Sequence, residues 1–185
     1  MEALIILLVI LVIVGIYAVS VYNKLIRLKT QVQEGAADID AQLKRRYDLI
    51  PNLVETVKAV TKFEKETMEA VVKARQQASG LSGITAERAE AEGALTQALG
   101  KLFAVAEAYP DLKSSQNFLQ LQQELTNTED RVLSGRRFYN TVVSDYNAYQ
   151  DSFPALLFKG LASAKPAEFF EIQNAEEREP VKVAF

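Results

Sequence analysis

The chain has 185 residues, with 21 basic and 24 acidic side chains and a net charge of −3. A net charge this small and negative argues against nucleic acid as the main partner, because phosphate binding needs concentrated Lys and Arg. It contains no cysteine and no histidine. This excludes disulfide frameworks, thiolate nucleophiles, Ser-His-Asp triads and histidine zinc sites.

The first predicted element is an apolar helix over Ala3 to Tyr22, twenty residues without a charge. At about 1.5 Å per residue such a helix spans roughly 30 Å, the thickness of the hydrocarbon core of a bilayer. Tyr17 and Tyr22 lie in its last turns, where an aromatic belt is expected. The run therefore predicts a transmembrane anchor over residues 1–22.

Two other interpretations of this run are open. A cleaved signal peptide is one, since Ala18-Val19-Ser20 is an acceptable cleavage triplet, but the basic n-region is missing and the apolar run is longer than a signal core. A buried helix of a soluble protein is the other. Val, Leu and Ile surround this helix on all sides, so it has no polar face to meet water. The membrane anchor is the favoured interpretation.

The flanking charges predict an orientation. Lys24, Arg27 and Lys29 follow the span, and no basic side chain precedes it. The positive-inside bias then places the N-terminus outside and the rest of the chain in the cytoplasm, as a single-pass protein of the inner cell membrane. With Tyr17 and Tyr22, these three side chains form the predicted membrane-interface residues, and the lipid bilayer is the first predicted partner.

The helix is predicted to continue beyond Tyr22, because apolar residues recur in steps of three and four: Leu25, Leu28, Val32, Ala36, Ile39, Leu43, Tyr47 and Ile50. Pro51 interrupts this pattern, since it removes one backbone donor and crowds the carbonyl of Tyr47. Asp48 is placed to cap a new helix there. Pro51 is thus either a kink in one long helix or a reversal, and the similar lengths of the two flanking arms favour reversal.

The next break is Gly80 to Gly83, where Gly80 suits a left-handed C-cap. Thr85 is a suitable N-cap for a third helical segment over about 86–108. Its predicted apolar face is Ala91, Leu95, Ala98, Leu102, Val105 and Tyr109.

The last helix is predicted to open at Ser114 or Ser115 and to end at Pro154. Its apolar positions alternate three and four residues apart, a bundle seam of coiled-coil type: Phe118, Leu121, Leu125, Thr128, Val132, Gly135, Tyr139, Val142, Tyr146, Tyr149 and Phe153. Thr128 and Gly135 are expected to mark the approach of another helix. The seam tyrosines are interpreted as core residues rather than as a platform for stacked bases.

The predicted fold class is all-α. A transmembrane helix (1–22) continues into an elongated antiparallel up-and-down bundle (23–153) of three or four helices, depending on Pro51. A short extended tail (154–185) follows. Its end, Val181 to Phe185, alternates as a strand does and needs an edge or groove to bind. The tail is expected to be ordered only by docking or by a neighbouring subunit.

Charged residues concentrate on two helices and form a predicted polar cluster: Asp40, Lys44, Arg45, Arg46, Asp48, Arg136 and Arg137. The spacing predicts ion pairs between Asp40 and Lys44 and between Arg45 and Asp48. The cluster is interpreted as a solvated or inter-helix salt network, in which Glu124 and Glu129 of the last helix could take part. A site for phosphate or for an acidic partner is the alternative.

No catalytic residue, metal ligand, cofactor or small-molecule substrate is predicted. The di-iron pattern of helical bundles needs Glu-x-x-His on two helices, and the chain has no histidine. A site made of carboxylates alone is the remaining metal alternative. The glycines at 80, 83, 93 and 100 match no phosphate-binding loop.

Four blocks of sequence together resemble the bacterial LemA family: Ile39 to Lys58 (IDAQLKRRYDLIPNLVETVK), Glu107 to Leu112, Asn117 to Leu125 and Arg136 to Asn147. Shorter matches are Tyr22-Asn23 with Leu25 and Leu28, Ala74-Arg75, Phe153-Pro154 and Val181 to Phe185. The resemblance covers nearly the whole chain. It implies a single N-terminal membrane helix and an elongated, mostly antiparallel helical bundle with no established enzymatic activity. It also implies an association with envelope processes, in some members with a membrane metalloprotease or a specialised membrane compartment.

The favoured hypothesis is a non-enzymatic, membrane-anchored scaffold or adaptor. It would act through self-association as a homo-oligomer and by binding a membrane protease or another envelope protein, and not nucleic acid. A membrane-remodelling or lipid-organising protein is the alternative. A carboxylate-metal enzyme is the second alternative.

Overall fold

The computed structural model describes residues 1–61 and 64–171, and this part of the chain is all-α. Its helices are α1 (Glu2–Val60), α2 (Lys65–Ser79), α3 (Ala86–Ala106), α4 (Pro110–Lys113) and α5 (Gln116–Gln150), followed by a short 3-10 helix (Ala155–Phe158). The predicted all-α fold, a long N-terminal apolar helix with an antiparallel helical bundle, is confirmed. The predicted strand Val181 to Phe185 lies outside the described residues.

The N-terminal part of α1 is a bare apolar helix. From Leu4 to Val19 its large side chains are between 49% and 70% exposed. Among the residues that the structure describes, α1 is the helix long and apolar enough to cross a membrane. A core helix of a soluble protein would be covered on most sides, so this exposure fits a single membrane span. The orientation of the span stays a prediction.

The favoured reversal at Pro51 is wrong, because α1 runs through Pro51 and ends at Val60. Pro51 has no N–H to give to the carbonyl of Tyr47. The Nε of Arg75, on α2, donates to that carbonyl instead, over 2.7 Å. This contact replaces the missing backbone bond, and Pro51 itself is exposed. Asp48 therefore lies inside α1 and caps no helix.

Contacts divide the chain into two units. Of the described residues, unit 1 comprises Met1–Ala37 and Arg137–Glu168, and unit 2 comprises Asp38–Arg136 and residues 169–171. The predicted boundaries near residues 22 and 153 concern the membrane and the tail, and they stay predictions.

Unit 1 pairs α1 with the C-terminal part of α5. Buried Gly35 lies against Tyr139, and a Cβ at Gly35 would be 3.4 Å from the Tyr139 ring. The core of the unit is Leu25, Tyr146, Ala162 and Ala164, with partly buried Tyr22, Ile26, Leu28, Val32, Tyr149, Phe158 and Ala167 against it. Part of the predicted tail thus docks within its own chain.

Unit 2 has a core drawn from every helix that enters it. Its buried apolar side chains are Ile39, Leu43, Ile50, Leu53 and Val57 of α1, Met68 and Val71 of α2, Leu95, Leu99 and Leu102 of α3, Leu112 of α4, and Phe118, Leu125 and Val132 of α5. The rings of Phe103 and Phe118 meet edge to face, with centroids 6.3 Å apart. Gly135 makes a close approach of the predicted kind, since a Cβ there would lie 3.4 Å from Ile39 Cγ1.

The junction before α3 is partly as predicted. Thr85 caps α3, since its hydroxyl accepts from the Arg88 N–H over 3.2 Å. Gly80 is not left-handed: its φ is −79°, and its N–H still bonds to the carbonyl of Gln76. The left-handed residue is Gly83, with φ +77°. The helical hydrogen bonding therefore reaches past Gly80, and the chain changes direction nearer α3.

Candidate functional site

The most notable polar feature lies inside unit 2, where α1, α3 and α5 bring charged side chains together. We call this set the charge network: Asp40, Arg46, Tyr47, Arg88, Glu92, Thr96 and Glu129. Arg46 and Glu92 are each only 2% exposed, and Arg88 is 5% exposed. Charges this deeply buried are costly unless they are paired. The network is therefore held by specific contacts.

Arg46 is the centre of the charge network. Its Nη1 contacts Glu92 Oε2 at 3.1 Å. Its Nη2 contacts Glu129 Oε2 at 2.8 Å and donates to the Thr96 hydroxyl, also at 2.8 Å. The planar guanidinium suits this role because its donors point in fixed directions. One α1 side chain thereby links α3 to α5.

Glu92 also accepts a hydrogen bond from the Tyr47 hydroxyl. Burial raises the pKa of Glu92, although the Tyr47 hydrogen bond and the charges of Arg46 and Arg88 act against burial. Burial and the neighbouring Glu92 together raise the pKa of Tyr47 well above its ordinary value. Tyr47 is therefore a neutral donor at neutral pH.

A second pair lies one turn towards the start of α3. Arg88 Nη1 contacts Asp40 Oδ1 at 2.5 Å and donates to the Gly83 carbonyl at 2.9 Å. Burial opposes the charge of Arg88, but the hydrogen bond and charge of Asp40 outweigh it and raise the arginine pKa. Arg88 thus ties α1 to the turn that precedes α3.

The members of the predicted polar cluster differ in their contacts and in their exposure. Asp40 pairs with Arg88 rather than with Lys44, and Arg45 contacts Glu124 at 3.8 Å rather than Asp48. Both pairs predicted from spacing are wrong, because partners on other helices come closer. Lys44 and Asp48 are exposed.

The two arginines of α5 in the predicted cluster differ in burial. Arg136 is partly buried and Arg137 is exposed. The Arg137 carbonyl accepts a hydrogen bond from Thr141 at 3.0 Å. The interaction role predicted for these two side chains stays a prediction.

Arg88 and Glu92 were not predicted, although α3 carries a signal for them. The buried side of α3 follows steps of four and three through Arg88, Glu92, Leu95, Leu99, Leu102 and Ala106. The predicted face included Leu95 and Leu102 but otherwise chose partly buried positions, Ala91, Ala98, Val105 and Tyr109. Two charges in phase with a leucine seam would have indicated a buried ion pair.

The predicted membrane-interface residues make several contacts within unit 1. The Tyr22 ring meets that of Phe158, with centroids 6.4 Å apart, and Lys24 Nζ lies 4.6 Å from the centre of the Tyr149 ring. Lys29 Nζ donates to the carbonyl of Ala162 at 3.1 Å. Tyr17 and Arg27 are exposed. The membrane role of these five residues stays a prediction.

The predicted bundle seam of α5 faces inward. Phe118, Leu125, Val132, Tyr139, Val142 and Tyr146 are buried, and Leu121 is partly buried. Phe153, which the pattern also included, lies beyond the end of α5 and is 80% exposed. Thr128 is buried, and its hydroxyl donates to the Glu124 carbonyl at 2.7 Å.

The carboxylates of the charge network face cations rather than one another. Within residues 1–61 and 64–171, no group of three or more acidic side chains is placed to hold a metal ion. Arg46 and Tyr47 occupy both oxygens of Glu92. This arrangement can fix how α1, α3 and α5 register against one another in unit 2.

The comparison with protein families gives an identity to this arrangement of helices. The model of the LemA family matches residues 35–185. The chain belongs to the LemA family. This match includes the charge network and all of α2 to α5, whereas the membrane span lies before it. The resemblance seen in the sequence is thereby confirmed.

Individual relatives extend this result. Protein LemA of Metamycoplasma hominis is 27% identical over 126 residues, which are 68% of this chain and 58% of the relative. Magnetosome protein MamQ of Magnetospirillum gryphiswaldense is 22% identical over 83% of this chain and 66% of its own length. Magnetosome protein MamQ 2 of Paramagnetospirillum magneticum is 33% identical over 46% of this chain and 31% of its own. The chain thus spans between about one third and two thirds of these relatives.

Proposed function

We propose that this LemA-family membrane protein is a non-enzymatic scaffold or adaptor that acts through self-association and through binding of other membrane proteins. The observation that carries the proposal is a contrast in unit 2 and along α5. The buried charges face one another and are committed to holding helices together, while large apolar side chains remain outside. Such a molecule has exposed apolar side chains that can bind a partner, and its buried charges are used for structure rather than for catalysis.

An exposed apolar side chain of α5 in unit 1 supplies the candidate contact. Phe138 is 56% exposed. The inward seam of α5 is already used by the bundle, so an association between copies must use other residues. Anchoring in a membrane raises the effective concentration of the copies, so a modest apolar contact suffices.

The mass of the full-length protein in nanodiscs, by light scattering or native mass spectrometry, tests this proposal. We expect a defined multimer. Phe138→Asp should lower the mass without loss of helicity, whereas Ser144→Asp, an added charge at another exposed position of α5, should leave the mass unchanged. A wild-type monomer would contradict self-association and leave only the adaptor part, whose partner, a membrane protease or another envelope protein, would be sought by cross-linking in native membranes.

A second candidate is a protein that organises or deforms lipid. It is supported by exposed Arg27 and Lys24 beside the span and by relatives whose names describe magnetosome proteins. Addition of the purified protein to liposomes tests it. Tubules or smaller vesicles would favour this candidate, and unchanged vesicles with a defined multimer would favour the scaffold.

The absence of enzymatic activity is part of the proposal. Glu92, the most buried carboxylate of the charge network, is paired with Arg46 and Tyr47 rather than open to a reactant. Elemental analysis of the purified protein addresses the carboxylate-metal alternative directly. A stoichiometric metal ion would contradict the proposal.

A further inference from the structure

The turn that follows α5 carries a group of exposed apolar side chains. Phe153 is 80% exposed, Leu156 50%, Leu157 70% and Leu161 74%. We call these four residues the apolar turn. Single exposed apolar residues are ordinary, but four large ones within nine residues form a patch that calls for a partner.

The apolar turn lies beside the point where the bare part of α1 ends. Exposed apolar residues of α1 reach Val19, and Val21 is the first to be buried, at 5% exposure. The Tyr149 hydroxyl donates to the Val21 carbonyl at 3.3 Å, and the Phe158 ring meets that of Tyr22. The helix end before the turn and Phe158 within the turn are therefore fixed to the last residues of the span.

The direction of the chain places the turn on the membrane side of these contacts. In unit 1, α5 runs antiparallel to α1, with Tyr139 against Gly35 and Tyr149 near Val21 and Lys24. The chain beyond Tyr149 thus continues towards the span before it turns back. It returns along α1, where Lys29 Nζ donates to the carbonyls of Ala162 and Ser163 at 3.1 and 3.3 Å.

The charges around the turn suit a lipid surface. Asp151 is paired with Lys159 at 2.7 Å, so the turn presents no uncompensated acid there. Lys24 and Arg27 are exposed on the adjoining part of α1, while Asp145 lines a depression beside Lys24. Basic and aromatic groups next to an apolar surface are typical of the headgroup region.

We propose that the apolar turn is a second membrane contact, inserted into the boundary between headgroups and acyl chains of the leaflet from which α1 emerges. We assign the bilayer as the partner of the apolar turn because the turn lies next to the last residues of the membrane span. The inference rests on α1 spanning the membrane and is independent of the scaffold function. Unit 1 would then be attached to the bilayer at two points, α1 and the turn.

Tryptophan fluorescence tests this contact, because the natural chain contains no tryptophan. Leu157→Trp in the full-length protein is placed in nanodiscs whose lipids carry bromine on the acyl chains near the headgroup. We expect blue-shifted emission and quenching on the order of twofold or more, compared with nanodiscs of unbrominated lipid. Phe153→Trp, at the most exposed position of the turn, should behave alike if Leu157→Trp disturbs the fold.

Phe138→Trp is the matched control in the same unit. Its neighbour Tyr139 contacts Gly35, thirteen residues beyond Tyr22 and so about 20 Å further along α1. Phe138→Trp should therefore escape quenching. In the double variant Phe153→Trp/Leu157→Glu, quenching of the introduced indole should be weaker than in Phe153→Trp alone, since the added charge opposes insertion.

Two results would overturn the proposal. Water-like emission of Leu157→Trp without bromine quenching would place the turn in solvent. Blue-shifted emission without quenching would mean that protein, such as a second copy, covers the turn instead of lipid. Neither result contradicts the scaffold proposal, which is tested separately by the mass of the assembly and by Phe138→Asp.

Discussion

The polar side-chain contacts inside unit 1 differ in kind from those inside unit 2. In unit 1, aromatic rings pack and side chains such as Tyr149, Asn147 and Lys29 bond to backbone carbonyls. In unit 2, charged side chains bond to one another, with Arg46 between Glu92 and Glu129. A backbone carbonyl can accept a hydrogen bond from any nearby donor, whereas a buried charged side chain needs a partner of opposite charge. Unit 2 should therefore be the more sensitive to single substitutions and to pH.

The largest expected effect is that of Glu92→Ala. The change leaves Tyr47 without its acceptor and Arg46 with one carboxylate fewer, and removing one partner of a buried pair costs about 3–5 kcal/mol. Because Arg46 keeps Glu129, we expect about 3 kcal/mol, measured by urea unfolding of the full chain in detergent. Glu90→Ala, an exposed glutamate of the same helix, should cost less than about 0.5 kcal/mol. Equal costs for the two variants would contradict the structural role of the charge network.

Arg75→Met tests the contact that lets α1 pass through Pro51. It should leave the Tyr47 carbonyl without a donor and cost about 1–3 kcal/mol. Pro51→Ala restores a backbone N–H at this position, so Arg75→Met should cost about 1 kcal/mol less in that background. Lys73→Met, an exposed change on α2, is the control. Full additivity of the Arg75 and Pro51 changes would mean that the two residues do not share this carbonyl.

Asn147→Ala removes a hydrogen-bonding side chain from unit 1, as Glu92→Ala and Arg75→Met do in unit 2. The Asn147 side chain donates to the Ala167 carbonyl and accepts from its N–H, each at 2.9 Å. Its loss should cost about 1–2 kcal/mol and speed amide exchange in residues 164–168, as followed by mass spectrometry, without affecting unit 2. Asn127→Ala, on the exposed part of α5, should change neither. Faster exchange across unit 2 would show that the two units do not respond separately.

Tyr47→Phe isolates the part of the pH dependence of stability that comes from the charge network of unit 2. The folded-state pKa of Tyr47 is raised, so its contribution to stability is complete below the ordinary value of 10.0 and is lost as the pH rises through the folded pKa. The wild type should lose stability above pH 10, as other buried tyrosines also contribute, and Tyr47→Phe should lose less. The urea midpoints of the two proteins should therefore converge between pH 8 and about pH 11. Parallel curves would argue against the Tyr47–Glu92 contact.

The smallest expected effect is a gain from alanine at glycine positions. Apart from its chain neighbours and the backbone of α3 itself, no atom of the described residues lies within 4 Å of a Cβ at Gly100, so Gly100→Ala should stabilise unit 2 by about 0.5–1 kcal/mol. At Gly35 in unit 1 the new Cβ would meet Tyr139 at 3.4 Å, so the gain should be smaller. Thermal unfolding by circular dichroism measures both. A larger gain at Gly35 would mean that the two helices are less closely packed there.

Much of the fold follows from local patterns in the sequence. The spacing of apolar residues in α5 is regular enough to define the helix and its inward face, and Thr85 is recognisable as a cap because Ser and Thr favour that position. Pro51 could not be interpreted this way, because the donor that replaces its N–H comes from Arg75 on another helix. Local rules describe what proline removes and not what the tertiary structure supplies.

The charge network was less predictable than the fold. Arg46 and Asp40 were recognised as part of a charged cluster, and Glu129 of α5 was expected to take part, but the partners on α3 depend on how helices approach in space. Spacing along one helix favours contacts three and four residues away, and these lose to better-placed partners once the helices pack. The position of Arg88 and Glu92 in phase with the leucines of α3 was the sequence signal that could have revealed the partners on that helix.

The contact between Arg75 and the Tyr47 carbonyl also sets an order for the assembly of the chain during synthesis. The ribosome makes residues 47 to 51 well before residue 75, so the helix first passes Pro51 with that carbonyl bonded to water. During this interval the Tyr47 carbonyl lacks both the backbone donor that Pro51 cannot supply and the side-chain donor of Arg75. Docking of α2 then supplies the arginine, so the hydrogen bonding of α1 at Pro51 is complete only after α2 has been made.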